Sequence, residues 1–275
     1  MTDAPFQFFD VHVTCARRLT PAMHRVDLGG SDIGRMASAG RDQRIKLFLP
    51  HPGQDAPVMP ELTDDWYAAW RALDPAVRGI MRTYTIRDLN AATLTVDFAL
   101  HGTAAPASRW ATRARAGDRI GVFAPVDAEN AAYDFRPPED TEWLLLAGDE
   151  SALPAIAAIL EHLPAGLPVR VWIELRDAAD RQPLPTRADA TVTWLTDERA
   201  TSGPPPSDRT AQAVRTALLP TGTPYAWIAG ESSSVKSLRR HLVSERGMDR
   251  TRIKFSGYWR RGASEDQLLI QDEAA

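Results

Sequence analysis

Two hydrophobic periods meet in this chain, and their meeting point constrains the fold more than any other feature. In the first half, short apolar runs recur at strand length. Phe8, Val11 and Val13 begin the series, followed by Met23, Val26 and Leu28, and by Ile45, Leu47 and Leu49. Tyr84 with Ile86, Leu94 with Val96 and Phe98, and Ile120 with Val122 complete it. Side chains alternate across a strand, so each run predicts a half-buried strand. Gly29-Gly30, Asp88-Leu89-Asn90 and Ala116-Gly117-Asp118 are turn signals between several of them. Six such strands predict a small closed antiparallel β-barrel, which leaves no exposed edges. Residues 51–80 interrupt the series. They hold an expected helix, Asp64 to Leu73, with Trp66 and Trp70 on one face, and read as an excursion over one end of the barrel.

The segment Arg136-Pro137-Pro138-Glu139-Asp140 reads as a linker, and after it the texture changes. Trp143 to Ala147 is a continuous apolar strand. Ser151 to Leu163 is an amphipathic helix with Leu153, Ile156, Ala157 and Leu160 on one face. Val169 to Ile173 and Val192 to Leu195 read as buried strands, and Thr210 to Leu219 as a helix. Tyr225 to Ala229 is a strand, the next helix carries Val235, Leu238, Leu242 and Val243, and Ile253 to Tyr258 is the last strand. Strands alternating with helices predict a parallel sheet covered on both faces. Pro204-Pro205-Pro206 reads as a surface loop. The expected organisation is two domains: a six-stranded antiparallel β-barrel over 1–138 and a parallel-sheet α/β domain over 139–275.

The chain of 275 residues is long enough for both domains. Cys15 is its only cysteine, which excludes an intramolecular disulfide and a zinc or iron–sulfur site built from cysteines. A reducing compartment fits that usage. The N-terminus, Met1 to Pro5, lacks a basic region followed by an apolar stretch, so no signal peptide is expected. The most apolar stretch, Trp143 to Leu163, is broken by Asp149, Glu150 and Glu161 and is too polar to span a bilayer. The net charge is −4, which gives no global field for nucleic acid. The expected location is cytoplasmic, and any anionic ligand must be held by local charge.

Two constellations in the first half carry chemistry. Arg82-Thr83-Tyr84-Thr85-Ile86-Arg87 would place Arg82, Tyr84 and Ile86 on one face of a strand. An arginine can pair with a pyrophosphate, an aromatic ring can pack on a flavin, and a threonine hydroxyl can bond the ring edge. The same residues also read as an exposed strand with solvated arginines. The second constellation runs Asp97-Phe98-Ala99-Leu100-His101-Gly102 and on to Pro106-Ala107-Ser108-Arg109-Trp110-Ala111. Ser108 opens a helix whose amides could cradle a phosphate, with His101 as a second donor. His101 reads equally as a packed or capping histidine.

The series Arg82-x-Tyr84-Thr85-x-Arg87, Asp97-Phe98-x-x-His101-Gly102 and Pro106-Ala107-Ser108-x-Trp110-Ala111 resembles the siderophore-interacting protein family. That family comprises FAD-dependent ferric-siderophore reductases of the ferredoxin-reductase superfamily. Leu146-Ala147-Gly148-Asp149-Glu150-Ser151-Ala152-Leu153-Pro154-Ala155-Ile156 resembles its nicotinamide-domain entry. Ala229-Gly230-Glu231 resembles its second nucleotide loop, and Gly257-Tyr258-Trp259-Arg260-x-Gly262 its C-terminal signature. The family usually has glycine where this chain has Ala105. A loop needing positive φ there would be strained by alanine.

The resemblance implies FAD held by Arg82, Thr83, Tyr84, Thr85, Asp97, His101, Ala107, Ser108 and Trp110. It implies NADPH or NADH bound across Gly148, Asp149, Glu150, Gly230 and Glu231, with Trp259 beside the flavin. There is no G-x-G-x-x-G, so a standing dinucleotide-binding fingerprint is absent. Each of Gly148 and Gly230 also reads as a helix-entry turn. Glu174 and Arg176 fall where an adenosine ribose would lie, and Arg176 fits a 2′-phosphate as well as it fits an exposed loop. Lys46 and Arg260 are the implied substrate-binding residues, forming a basic patch beside the flavin; Arg260 reads also as part of a solvated tail. No side chain is assigned as a catalytic acid or base. No metal is expected as a permanent ligand, because ferric iron would arrive already chelated. The implied reaction passes hydride to flavin and then single electrons to iron. Two other functions fit the same residues: a reductase with ferredoxin or another protein as its redox partner, and a non-enzymatic cytoplasmic siderophore-binding protein.

Overall fold

The computed structural model describes residues 4–100, 105–196 and 209–263. It divides into two compact units, Met1–Asp134 and Phe135–Ala275. The division precedes the proline pair because Phe135 packs within the second unit. Its ring meets Tyr225 edge-on at 5.7 Å, and the Arg136 amide donates to the Tyr225 hydroxyl.

The first unit contains β1 (Phe6–Thr20), β2 (Met23–Gly29), β3 (Arg44–Leu49), β4 (Ile80–Thr85), β5 (Asp88–Leu89), β6 (Leu94–Ala99) and β7 (Arg119–Pro125). These form one sheet in the order β4-β3-β7-β1-β2-β6-β5, antiparallel throughout. Six of the strands are those expected. The seventh, β5, falls on the Asp88-Leu89 turn signal, where two residues add a short rung to β6. The sheet is a rolled half-barrel rather than a closed one. Its opposite end strands, β4 and β5, follow each other in the chain. Tyr84 of β4 meets Phe98 of β6 at 4.4 Å, so side chains meet across a gap where no ladder pairing is recorded among the described residues. Phe9, Val11, Val13, Leu47, Leu49, Val96, Phe98 and Val122 fill the inside, as their alternation dictates.

The excursion over 51–80 carries helix α1 (Trp66–Ala72), with Asp65 as N-cap accepting from the Ala68 amide. It covers the outer face of the sheet, not one end. Trp66 packs on Phe8 of β1, Phe48 of β3 and Phe123 of β7. These residues have the opposite parity to the inner core. Gly121 of β7 admits Met59 there, since a Cβ would lie 2.4 Å from its sulfur. Helix α2 (Pro106–Arg113) follows β6.

The second unit holds β8 (Trp143–Asp149), α3 (Leu153–His162), β9 (Pro168–Leu175), β10 (Asp189–Thr196), α4 (Arg209–Thr216), β11 (Pro224–Glu231), α5 (Ser232–Ser244) and β12 (Ile253–Trp259). The five strands are all parallel, in the order β10-β9-β8-β11-β12. One face packs Trp143, Leu145, Ala147, Ala226 and Ile228 against Val214 of α4 and Val235, Leu238 and Leu242 of α5. Leu144 and Leu146, of opposite parity, are equally buried, and α3 approaches that face at Gly148. The expected burial of 192–195 is corrected. β10 is an edge strand with β9 as its ladder partner, and its residues are half-buried at most. Pro204-Pro205-Pro206 and His101 lie outside the described residues.

Candidate functional site

The strand order sets a switch point between β8 and β11. The chain runs outward from β8 to β10, then returns on the other side of β8. Open α/β sheets bind ligands outside the carboxyl ends of their strands at such a point. Gly148 and Gly230 sit there on adjacent strands. A Cβ on Gly148 would lie 2.5 Å from the Ala152 Cβ and 2.8 Å from the Ala229 carbonyl. Gly230 has φ +138, and a Cβ would lie 2.6 Å from a carboxylate oxygen of Asp149. Gly148 therefore lets α3 enter closely, and Gly230 makes room for Asp149.

The structure gathers Gly148, Asp149, Glu150, Gly230, Glu231 and Trp259 at this edge, and it shows what each carboxylate does. Asp149 accepts from the Ser151 amide at 2.9 Å and hydroxyl at 2.5 Å, and from the Glu231 amide and Trp259 Nε1, both at 2.8 Å. Glu231 is the N-cap of α5. It accepts from the Ser233 amide at 2.8 Å, the Ser234 amide at 3.1 Å, the Arg261 amide at 3.3 Å and the Ser233 hydroxyl. Burial pulls its pKa upward, but these donors outweigh burial and hold it below the ordinary value. Glu150 is buried, accepts from the Arg176 amide at 3.1 Å and pairs with the Arg176 guanidinium at 3.3 Å. Burial, then the Asp149 charge, push its pKa up.

α3 and α5 begin beside Gly148 and Gly230, and they differ. α5 is capped by Glu231, whereas α3 has Ala152 at its N-cap, no side-chain cap and Pro154 in its first turn. An uncapped helix start directed at a switch point suits a phosphate. Beside it, Glu174 at the end of β9 accepts from the Thr210 hydroxyl at 3.2 Å, with Arg209 at 3.9 Å. Burial raises Glu174 from 4.5 to about 7, against the pull of Arg209.

In the first unit, Arg82 is buried, 7 % exposed, and its guanidinium donates to the Met81 carbonyl at 2.7 Å. Tyr84 and Ile86 share the parity of Arg82, as expected, and with Ile80 they pack on the inner core. Thr83 has the opposite parity and accepts from Lys46 Nζ at 2.8 Å, its register partner on β3. Lys46 and Arg82 thus belong to opposite faces of the sheet. Thr85 is buried at the end of β4. Phe98 links Tyr84 to Trp110 of α2, at 4.4 and 5.7 Å. Asp97 is buried in a bidentate pair with Arg25 at 2.6 and 2.7 Å, with Arg87 at 3.9 Å. Ala107 and Ser108 lie buried in the first turn of α2, which has no side-chain cap and Pro106 at its start. Ala105 has φ −70, so alanine is unstrained there and the expected conflict with glycine does not arise. These features fit a phosphate-bearing cofactor: a buried guanidinium, an aromatic contact chain and an uncapped helix start.

Sequence reasoning did not single out Arg25, Thr210 or Arg209. It also missed Ser233, although the run Ser232-Ser233-Ser234 after a strand is a helix-start signal.

Comparison with known proteins agrees with this architecture. Residues 12–129 match the siderophore-interacting FAD-binding domain, and residues 141–262 the siderophore-interacting protein family. A crystal structure of a siderophore utilization protein from T. fusca superposes with TM-score 0.81 at 37 % identity, covering 95 % of each chain. The NADPH-dependent ferric-chelate reductase of Escherichia coli is 30 % identical over 92 % of this chain and 93 % of its own length. The ferric vibriobactin reductase of Vibrio cholerae is 29 % identical over 88 % and 85 % respectively. The chain belongs to the siderophore-interacting protein family.

Proposed function

We propose that this chain is an FAD-dependent reductase of ferric siderophores that takes electrons from NADPH or NADH and releases ferrous iron in the cytoplasm. The observation that carries this reading is the uncapped start of α3 at the switch point of the parallel sheet, beside Gly148 and Gly230, in a chain whose other unit matches an FAD-binding family. The ferric reductases among its relatives support the same chemistry.

Arg82, Thr83, Tyr84, Thr85, Ala107, Ser108 and Trp110 would hold FAD, together with His101. FAD when bound accepts a hydride and passes on single electrons, so the protein need only bind and orient. Asp97, engaged by Arg25 and Arg87, would support that site from its strand. The amides at the start of α3 would receive the nucleotide phosphates, and Arg176, paired with Glu150, would be the side chain to distinguish a 2′-phosphate. Lys46 and Arg260 would draw in an anionic ferric chelate. Ferrous iron binds siderophore oxygens more weakly than ferric iron, so reduction leads to release. No helix among the described residues is long and apolar enough to cross a membrane.

Anaerobic titration tests this reading. NADPH or NADH should bleach the bound flavin, and a panel of ferric siderophores should restore its colour faster than ferredoxin does. A protein that binds ferric siderophore but carries no flavin bleached by either nucleotide would be a carrier, and the reading would fail. Faster reoxidation by ferredoxin would make a protein the acceptor.

A further inference from the structure

We propose that Asp149 is a positioning residue that fixes the orientation of Trp259, and not a ligand of the nucleotide. The proposal rests on the reading that the carboxyl edge of the parallel sheet receives NADPH or NADH.

A carboxylate offers about four lone-pair sites. Asp149 receives four donors: the Ser151 amide and hydroxyl on Oδ1, and the Glu231 amide and Trp259 Nε1 on Oδ2. A ribose hydroxyl could reach it only by displacing one of them. The four donors come from the entry to α3, the end of β11 and the end of β12, so one carboxylate joins three strand ends. Gly230 fits this role, because any side chain there would meet Oδ2 at 2.6 Å.

The bond to Trp259 is the one that holds an aromatic side chain: the two Ser151 bonds close the entry to α3, and the Glu231 amide bond ties down the end of β11. The backbone of Trp259 is fixed independently, by the Ser232 hydroxyl donating to its carbonyl at 2.9 Å and by its pairing with Glu231. Loss of the Asp149 bond would therefore remove a directional tether from the indole while the strand stays paired. Trp259 is half-buried, so part of the indole remains accessible. An indole tethered by its N–H edge is an oriented aromatic surface. Aromatic contacts favour offset or edge-on geometries, so orientation decides how well a nicotinamide or adenine ring packs on it.

The test uses the flavin-loaded protein and four forms: wild type, Trp259→Phe, Asp149→Asn and the double variant. Isothermal titration gives the dissociation constants for NADPH and NADH. Near-ultraviolet circular dichroism reports indole immobilisation. Trp259→Phe keeps a ring but lacks the N–H, and it should weaken binding roughly tenfold, the scale of one charge-assisted hydrogen bond. Asp149→Asn should give the same loss and remove the same dichroic band. The double variant should be no weaker than either single variant, because both remove one interaction. Additive losses, or a Trp259→Phe protein that binds as wild type while Asp149→Asn does not, would overturn the proposal. Should Asp149→Asn fail to fold, unchanged affinity in Trp259→Phe still overturns it. Trp259→Ala separates the two levels. If it loses binding that Trp259→Phe retains, only the role of Asp149 fails; if neither it nor Gly148→Ala, which crowds the start of α3, changes nucleotide binding, the reading of this edge fails.

Discussion

Single carboxylates at the sheet edge have different fates, and Glu174 is the one with a measurable pH signature. Burial holds its pKa near 7, above the ordinary 4.5. Between those values the folded chain keeps a proton that the unfolded chain has released. Stability therefore falls as pH rises from about 4.5 to about 7, and the loss is complete above that window. The full shift corresponds to on the order of 3 kcal/mol. Glu174→Gln should remove this slope, so urea melts of the two proteins should differ more at pH 8 than at pH 5. Equal losses across that range would refute the assignment. Arg82 is the corresponding residue in the first unit. Arg82→Ala should weaken flavin binding about ten- to a hundredfold, the scale of a lost charge-assisted pair, and leave nucleotide binding nearly unchanged. Flavin retained through dialysis of the variant would count against it.

Elements were legible where a period repeats and illegible where a contact is long-range. Six strands of the first unit show in the sequence because alternation over several residues marks a half-buried strand. β5 does not, because two residues carry no period. Trp66 and Trp70 reveal a helix face, but not that it covers Phe8, Phe48 and Phe123, which lie far away in sequence. At the site, Gly148 and Gly230 are readable as strand ends. The engagement of Asp149 is not, since Glu231 and Trp259 lie 82 and 110 residues further on. Close packing at this edge leads to a prediction. Gly148→Ala places a methyl 2.5 Å from the Ala152 Cβ and 2.8 Å from the Ala229 carbonyl. It should cost about 1–3 kcal/mol by overpacking and push α3 away from the sheet. Nucleotide affinity should fall with it while flavin content stays, as thermal melts, titration and flavin absorbance would record. A variant as stable as wild type would show that the edge has more slack than the geometry allows.

At the scale of the whole molecule, charge sets the terms for substrate. The chain carries −4, and an anionic ferric chelate approaching it needs local attraction to dock. Lys46 and Arg260 are the residues proposed to supply it. Lys46 stands on β3 and donates to the Thr83 hydroxyl, and Arg260 follows Trp259 at the end of β12. Neutralising either should slow reoxidation of the reduced flavin by a trianionic catecholate chelate, and slow it less for a near-neutral hydroxamate. The contrast should shrink as salt is raised, because exposed charges are screened over about 8–10 Å near physiological ionic strength. Reduction of the flavin by NADPH or NADH should change little, since that step does not involve the chelate. Stopped-flow traces of the two half-reactions separate these effects. If Lys46→Ala and Arg260→Ala both leave the catecholate step at the wild-type rate, attraction comes from elsewhere and these two residues do not bind substrate.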